Sequence, residues 1–397
     1  MGGGLRRMRV LVVTNDLPPR VGGIQYYVDQ LARGLAAAGD DVTLFGSTWE
    51  GAAAFDATAP YRVVRHPRAT LLPTPTVARR VAALVRGSGA DVVLFGAAFP
   101  LGLMGPWLRR RTGVPYAAFT HGLEVSAARA PGGARFLRHV GRDAALVTFV
   151  SNWCDGLLRP AFGPGPRYAL LPPAVDPGEY HPGVDGSAVR HRHGLVGRPL
   201  VVTVSRLVAR KGQDTLIRAL PAIRRQVPGA ALLVVGGGEY REELERLARR
   251  HGVAGDVVFA GQVPEEELPA HYAAGDVFAF PTRERRRGLE VEAFGIVVIQ
   301  AEGVGVPAVA GSIGGVPDAV GAPEAGVLVD GTDVDEVARE VGGLLADRDR
   351  RVRMGAAAAA RVAEGYTWPA RVDELRALLR EAVGHSAPPE PPARPGK

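Results

Sequence analysis

Two doubly wound α/β domains are what this sequence predicts, and three observations predict them. Short apolar, β-branched runs alternate with amphipathic stretches along nearly the whole chain, the signature of parallel strands covered by helices on both faces. The alternation halts once, in the Pro- and Gly-rich "LLPPAVDPGEYHPGVDG" (170–186), and then restarts. A length of 397 residues suffices for two core-bearing domains of ordinary size.

In order, "RVLVVTND" (9–16) reads as the first strand and "GGIQYYVDQLARGLAAAGD" (22–40) as an amphipathic helix closing at Gly39. "DVTLFG" (41–46), "ADVVLFG" (90–96), "PYAAFTHG" (115–122) and "ALVTFVS" (145–151) are further buried-strand runs, each followed by helix-like sequence. Beyond a linker near 176–198 come "PLVVTVSRL", "ALLVVGGG", "DVVFAGQV", "DVFAFPT", "VPAVAGS" and "AGVLVD", the strands of a second sheet. "RVAEGYTWPARVDELRALLREAVG" (361–384) reads as helix, a break at Trp368–Pro369, and helix; the Pro-rich 385–397 is expected to be a disordered tail. The expected divisions are therefore 1–183, 184–366, a C-terminal helix over 367–384, and the tail 385–397. Ligands of open α/β sheets sit beyond the carboxyl ends of the strands, so two facing domains would form a cleft.

Composition bounds the function classes. Apolar residues at 46% and charged residues at 22% are an ordinary globular balance. A single cysteine, Cys154, cannot form an intrachain disulfide and suits a reducing compartment as a buried small hydrophobe. The start runs directly into a strand, with Met8 as an alternative to Met1, and no secretory leader is expected. The longest uncharged run, Val92 to Leu108, is too short for a membrane span and is broken by Pro100 and Pro106. Residues 1–185 hold 20 arginines, no lysine and 13 acids, so the whole net charge of +7 sits there, while the rest is balanced. That favours an anionic partner surface for the N-terminal half, although an arginine-rich composition accounts for part of it. A nucleic-acid role has only this charge in its favour.

Four places carry chemistry. Gly22–Gly23 follow the first strand and open a helix, where backbone N–H groups and the helix dipole suit an anion; tight packing is the alternative. Arg206 and Lys211, five apart in "VSRLVARKG", follow the first strand of the second domain and can converge on a diphosphate. Lysine is otherwise nearly absent, the only other being Lys397, which favours a function for Lys211 over a solvated basic loop. His121 in "FTHGLEV" stands at a strand end, with a structural role as the alternative. In "LEVEAFGIVVIQAEG" (289–303), Glu290 and Glu292 precede a turn whose amides start a helix. This is a pairing that suits a hydroxyl-rich ligand, or an acid complementing the helix dipole. No metal-ligand cluster is evident, and neither metal nor cofactor is expected.

Taken together, "GGIQ", "HGLE", "VSRLVARKG", "GQV" (261–263) and "EAFGIVVIQAEGVGVPAVAGSIGGVPDAV" make the chain resemble the retaining glycosyltransferases of family four, from Met8 to about Gly384. The resemblance implies a GT-B fold: two Rossmann-like domains facing a central cleft, an N-terminal acceptor domain, a C-terminal nucleotide-sugar domain, and a C-terminal helix crossing back to the first. "VTNDLPPRVGGIQYYV", "FTHGLEV" and the insertion "TRERRRGLEVEAFGIV" are most similar to the actinobacterial branch. That branch takes mannose from GDP-mannose to a phosphatidylinositol mannoside on the cytoplasmic leaflet. The implied roles are Gly22 and Gly23 against the diphosphate, Arg206 and Lys211 on the departing phosphate, and His121 near the sugar 6-hydroxyl. The loop at Val263 would meet the base, Glu292 the 3-hydroxyl, and the amides of Phe294, Gly295 and Ile296 the sugar and phosphate. No second carboxylate for double displacement is obvious, so front-face retention is what the resemblance implies. A UDP-linked donor, another acceptor, or a non-catalytic relative are the alternatives.

One position departs from the family pattern of Glu, seven residues, Glu: Gln300 stands in second place, where the family's acid meets the nucleotide ribose. Losing a charge-assisted hydrogen bond implies a donor site weaker by roughly tenfold, recoverable in Gln300→Glu. The basic insertion "RERRRG" (283–288) is expected to be a solvated loop, with contact to acceptor or membrane as the alternative.

Overall fold

A computed structural model describes residues 7–20, 22–286 and 288–384. It divides into two compact units. One takes the described residues of Met1–Val150, Cys154–Leu171 and Arg371–Lys397; the other takes Ser151–Trp153 and Pro172–Ala370.

In the first unit the strands are β1 (Arg9–Thr14), β2 (Asp41–Ser47), β3 (Arg62–His66), β4 (Val92–Phe95), β5 (Tyr116–Phe119), β6 (Leu146–Phe149) and β7 (Arg167–Leu170). They pair in parallel in the order β3-β2-β1-β4-β5-β6-β7. The central members are buried along their length, which is why they read as unbroken apolar runs. The edge strands β3 and β7 are only partly buried, and each begins with an exposed arginine. The uncharged run from Val92 becomes β4, a 3₁₀ turn at Leu101–Met104 and the helix Gly105–Thr112.

The second unit contains β8 (Leu200–Val204), β9 (Ala231–Val235), β10 (Val257–Gly261), β11 (Val277–Phe280), β12 (Ala308–Gly311) and β13 (Gly326–Val329), in the order β10-β9-β8-β11-β12-β13. Leu216, Ile217 and Leu220 of the helix Gln213–Gln226, with Val337, Val341 and Leu344 of Val334–Ala346, fill one face of this sheet. Burial of such side chains stabilises by about 1.5–3 kcal/mol each.

The units divide at Leu171/Pro172, ahead of the expected 183. The reason is packing. Tyr180 lies against Gly303 so closely that a Cβ there would stand 3.1 Å from the tyrosine Cβ, and Pro182 lies over Gly305. From Arg371 onward the helix Trp368–Gly384 belongs to the first unit. There Val372 fills the space over Gly34, and Arg376 donates to Asp40 at 2.8 Å and to the carbonyl of Ala38 at 3.0 Å. Trp368–Pro369 is the helix start, where a missing N–H is harmless. The tail 385–397 lies outside the described residues. No helix among the described residues is long and apolar enough to cross a membrane.

Candidate active site

Each sheet reverses its strand order once, at β1/β4 and at β8/β11, and in open α/β sheets the crevice for a ligand lies beyond the strand ends at such a point. In the first unit β1, β4 and β5 bring Gly22–Gly23, Gly96 and His121 to this edge. The helix Gly23–Ala37 starts without a side-chain cap. No described atom lies within 4 Å of where a Gly23 Cβ would be, so packing does not require glycine there. Gly96 differs, since a Cβ would stand 2.7 Å from Thr14.

The freed Gly96 carbonyl accepts from His121 Nε2 at 2.7 Å. That contact assigns the proton to Nε2 and leaves Nδ1 as an acceptor. Tyr27 meets the imidazole edge-on at 5.1 Å. Burial lowers the His121 pKa to about 4, against the opposing pull of the Gly96 carbonyl, so the ring is neutral at pH 7. Beneath it the Glu124 carboxyl accepts the His121 backbone N–H at 3.0 Å; it is fully buried, which pushes its pKa up. At the end of β1, Gln25 donates to Asp16 at 2.7 Å, and burial pushes that carboxyl up as well.

The second crevice is ionic. The loop after β8 carries Arg206, Arg210 and Lys211, and ends at Gly212. Gly212 has φ 79°, and a Cβ there would stand 1.9 Å from the Pro281 carbonyl, so only glycine fits. Lys211 Nζ donates to Glu292 Oε2 at 2.5 Å, and Arg210 Nη1 donates to the same oxygen at 2.6 Å. Lys211 also lies 4.8 Å from the Phe280 ring. Burial opposes ionisation of Glu292, yet the two cations hold its pKa at about 2. Burial lowers Lys211, partly countered by Glu292. Arg206 is exposed, and no carboxylate among the described residues pairs with it.

Glycines set the backbone around this acid. Gly315 N–H donates to the Glu292 carbonyl at 3.0 Å, and a Cβ at Gly314 would stand 2.1 Å from that oxygen. Gly295 has φ 96° and opens the helix Ile296–Gly303. The amides of Phe294, Gly295 and Ile296 donate to no described acceptor, whereas the Phe294 ring is buried and stacks 6.0 Å from Tyr366. Val263 follows β10 on the same edge. Its neighbour Gln262 lies over Gly237, whose carbonyl accepts from Leu207 at 2.9 Å. Loops after β8, β9, β10 and β11 thus stand side by side.

Other positions fall differently. Glu290 pairs with Arg286 at 3.1 Å and exchanges backbone hydrogen bonds with Arg285, so it closes the insertion instead of facing the crevice. Arg283 turns inward to Asp214 at 2.8 and 2.9 Å; Arg287 lies outside the described residues. Gln300 is buried, and its amide bridges two tyrosines: Tyr272 Oη donates to Oε1 at 2.8 Å, and Nε2 donates to Tyr180 Oη at 3.0 Å. The amide expected to meet a ribose has both ends engaged within the unit. Glu302, two residues on, is buried against Arg361, and burial raises its pKa to about 8. Arg210 was not among the residues the sequence singled out; its only signal there is adjacency to Lys211.

A family model described as Glycosyltransferase Family 4 matches residues 21–179, and one described as Glycosyl transferases group 1 matches residues 188–361. The GDP-mannose-dependent alpha-(1-6)-phosphatidylinositol monomannoside mannosyltransferase of Mycolicibacterium smegmatis is 47% identical over 374 residues, 93% of this chain and 98% of that protein. The GDP-mannose-dependent monoacylated alpha-(1-6)-phosphatidylinositol monomannoside mannosyltransferase of Corynebacterium glutamicum is 40% identical over 379 residues, 94% of this chain and 98% of its own length. Among solved structures, sucrose-phosphate synthase from Thermosynechococcus elongatus superposes with a TM-score of 0.80 at 24% identity, covering 96% of this chain and all of that one, a likeness of fold alone.

Proposed function

Since the chain belongs to the family 4, group 1 glycosyltransferases of the GT-B fold, we propose that it transfers mannose from GDP-mannose to a phosphatidylinositol mannoside, forming an α-linkage with retention. The observation that carries this reading is the cation cluster at the end of β8. Arg210 and Lys211 hold a single carboxylate, Glu292, beside free amides at a helix start, and Arg206 stands exposed and unpaired on the same loop. Three cations and one acid leave a surplus of two charges, the complement of a diphosphate.

As the glycosyl–phosphate bond breaks, its electron pair stays on the phosphate oxygen, and Arg206 and Lys211 stabilise that charge. The acceptor hydroxyl bonds to the anomeric carbon from the same face, and its proton passes to the departing phosphate. Gly22 and Gly23 offer amides to the diphosphate, with room beside Gly23. Neutral His121 accepts a sugar hydroxyl at Nδ1. Glu292 Oε1 accepts another, since both cations occupy Oε2. The amides of Phe294, Gly295 and Ile296 support sugar and phosphate, and backbone groups near Val263 take the base. The acceptor sits on the N-terminal unit, whose surplus of positive charge draws it to an anionic cytoplasmic leaflet as a peripheral protein. Gln300, in the place of the family's second acid, is engaged by Tyr272 and Tyr180 within its own unit, which supports a packing role for it beside intact His121, Arg206, Lys211 and Glu292.

Thermal shift with GDP-mannose beside UDP-sugars, then transfer to phosphatidylinositol mannoside in liposomes, tests the reading. Stabilisation by GDP-mannose and a mannosylated lipid are expected. Stabilisation by UDP-sugars alone, or donor hydrolysis without lipid product, would overturn it.

A further inference from the structure

Glu292 has two cationic partners on one oxygen, and they are held very differently. Lys211 reaches it as a single ammonium on a flexible stem. Arg210 is fixed at its backbone from two sides: its carbonyl accepts the Arg283 N–H at 2.9 Å and the Thr282 hydroxyl at 2.8 Å. Arg283 is itself anchored: its Nη2 donates to both oxygens of Asp214, and its Nη1 donates at 2.9 Å to the Thr215 hydroxyl, which donates on to the Gly331 carbonyl. Asp214 and Thr282 are buried, so this anchor is part of the domain interior. The Glu292 main-chain carbonyl is held in turn by the Gly315 N–H at 3.0 Å. Among the described residues, Lys211 and Arg210 are the charged groups paired with its carboxylate.

We infer that Arg210 is a positioning residue of the donor site: it holds the Glu292 carboxylate in place when Lys211 exchanges that carboxylate for a donor phosphate. The inference rests on the donor reading above. A phosphate arriving at the cluster competes with Glu292 for the lysine. Without a second cation the acid would be left buried and uncompensated at the step where it must accept a sugar hydroxyl. Arg210 removes that conflict by occupying Oε2 throughout, leaving Oε1 for the ligand. Arg283, the first residue of the basic insertion, serves the same end from beneath.

The test compares the full chain with Arg210→Met and Arg210→Lys, using GDP-mannose and its 3-deoxy analogue across pH. Wild type is expected to discriminate against the 3-deoxy donor. In Arg210→Met, kcat/KM should fall roughly 10- to 100-fold, the penalty for the missing hydroxyl should shrink, and the acid limb of the profile should move to higher pH. Arg210→Lys should restore part of each. A uniform loss of rate with the 3-deoxy penalty and the acid limb unchanged makes Arg210 merely structural and overturns the assignment. Should Arg210→Met fail to fold by circular dichroism, an unchanged limb and penalty in Arg210→Lys and Arg210→Gln overturn it equally. Wild type that turns over no GDP-mannose sinks the donor reading instead, and the two failures are distinct.

Discussion

Both sheets reverse direction at one point, and both gather side chains there, but the first crevice is electrically quiet and the second is not. At β1/β4 the imidazole of His121 is neutral, Glu124 is folded in beneath a backbone N–H, and glycine amides and carbonyls supply the polarity. At β8/β11 two cations, Arg210 and Lys211, hold one ionised carboxylate, and Arg206 stands unpaired on the same loop. The same topology therefore serves two kinds of recognition. The neutral crevice offers an imidazole acceptor and backbone amides, a chemistry suited to hydroxyl groups and to an anion at a helix start, while the ionic crevice offers paired charges suited to phosphate.

The largest effect should come from the ionic side. Lys211→Met is expected to lower kcat/KM by roughly 10²- to 10³-fold, since a group stabilising the leaving charge is lost. Steady-state rates showing less than a tenfold loss would break the contrast between the crevices.

Glu292→Gln should come next, at roughly 10- to 100-fold, because both Arg210 and Lys211 lose a charged partner. It also sharpens the contrast through pH. The Glu292 pKa is depressed from 4.5 to about 2, so its stabilisation is complete above pH 4.5 and is lost as pH falls toward 2. Urea midpoints across that window should fall more steeply in wild type than in Glu292→Gln.

On the quiet side the window differs. His121 is depressed from 6.5 to about 4, so the folded state favours the neutral ring and the unfolded chain takes up the proton first. Stability from this group is complete above pH 6.5 and is lost as pH falls toward 4, by at most about 3 kcal/mol. His121→Asn should lack this step and lose about tenfold in kcat/KM, the scale of one neutral hydrogen bond. A stability step persisting in the variant would place the titration elsewhere.

Gln300→Glu should do least. Charge reasoning from the sequence alone expects tighter donor binding. The tyrosine bridge places the new carboxylate between Tyr180 and Tyr272, where it meets hydroxyls. GDP-mannose affinity within about threefold of wild type is the expected calorimetric result, well under the tenfold that a regained charged contact implies.

The sequence carried most of the fold because central strands buried on both faces leave continuous apolar runs, whereas β3 and β7 at the edges are only partly buried. Gly22–Gly23, His121, Arg206, Lys211 and Glu292 could be singled out as candidates because each lies in a loop after a strand, the end at which open α/β sheets bind ligands. What was hidden was pairing over long separations. Arg210 with Glu292, Arg283 with Asp214 and Gln300 with Tyr180 join residues that local spacing cannot connect. Gln300 shows the consequence most clearly: a substitution read as lost charge at a ligand is, in three dimensions, a neutral bridge between hydroxyls.

Arginine stands almost everywhere that this chain needs a cation, and Lys211 is the sole lysine among the described residues. Its ammonium is also easier to deprotonate than an ordinary lysine because it is buried. The protein therefore contains its own chemical reporter. Reagents that acylate or reductively alkylate primary amines have one internal target, at the point where the diphosphate is proposed to bind. Lys397 and the chain's α-amine serve as reference sites, and protection of a single peptide in a mass spectrum would report occupancy without any added label.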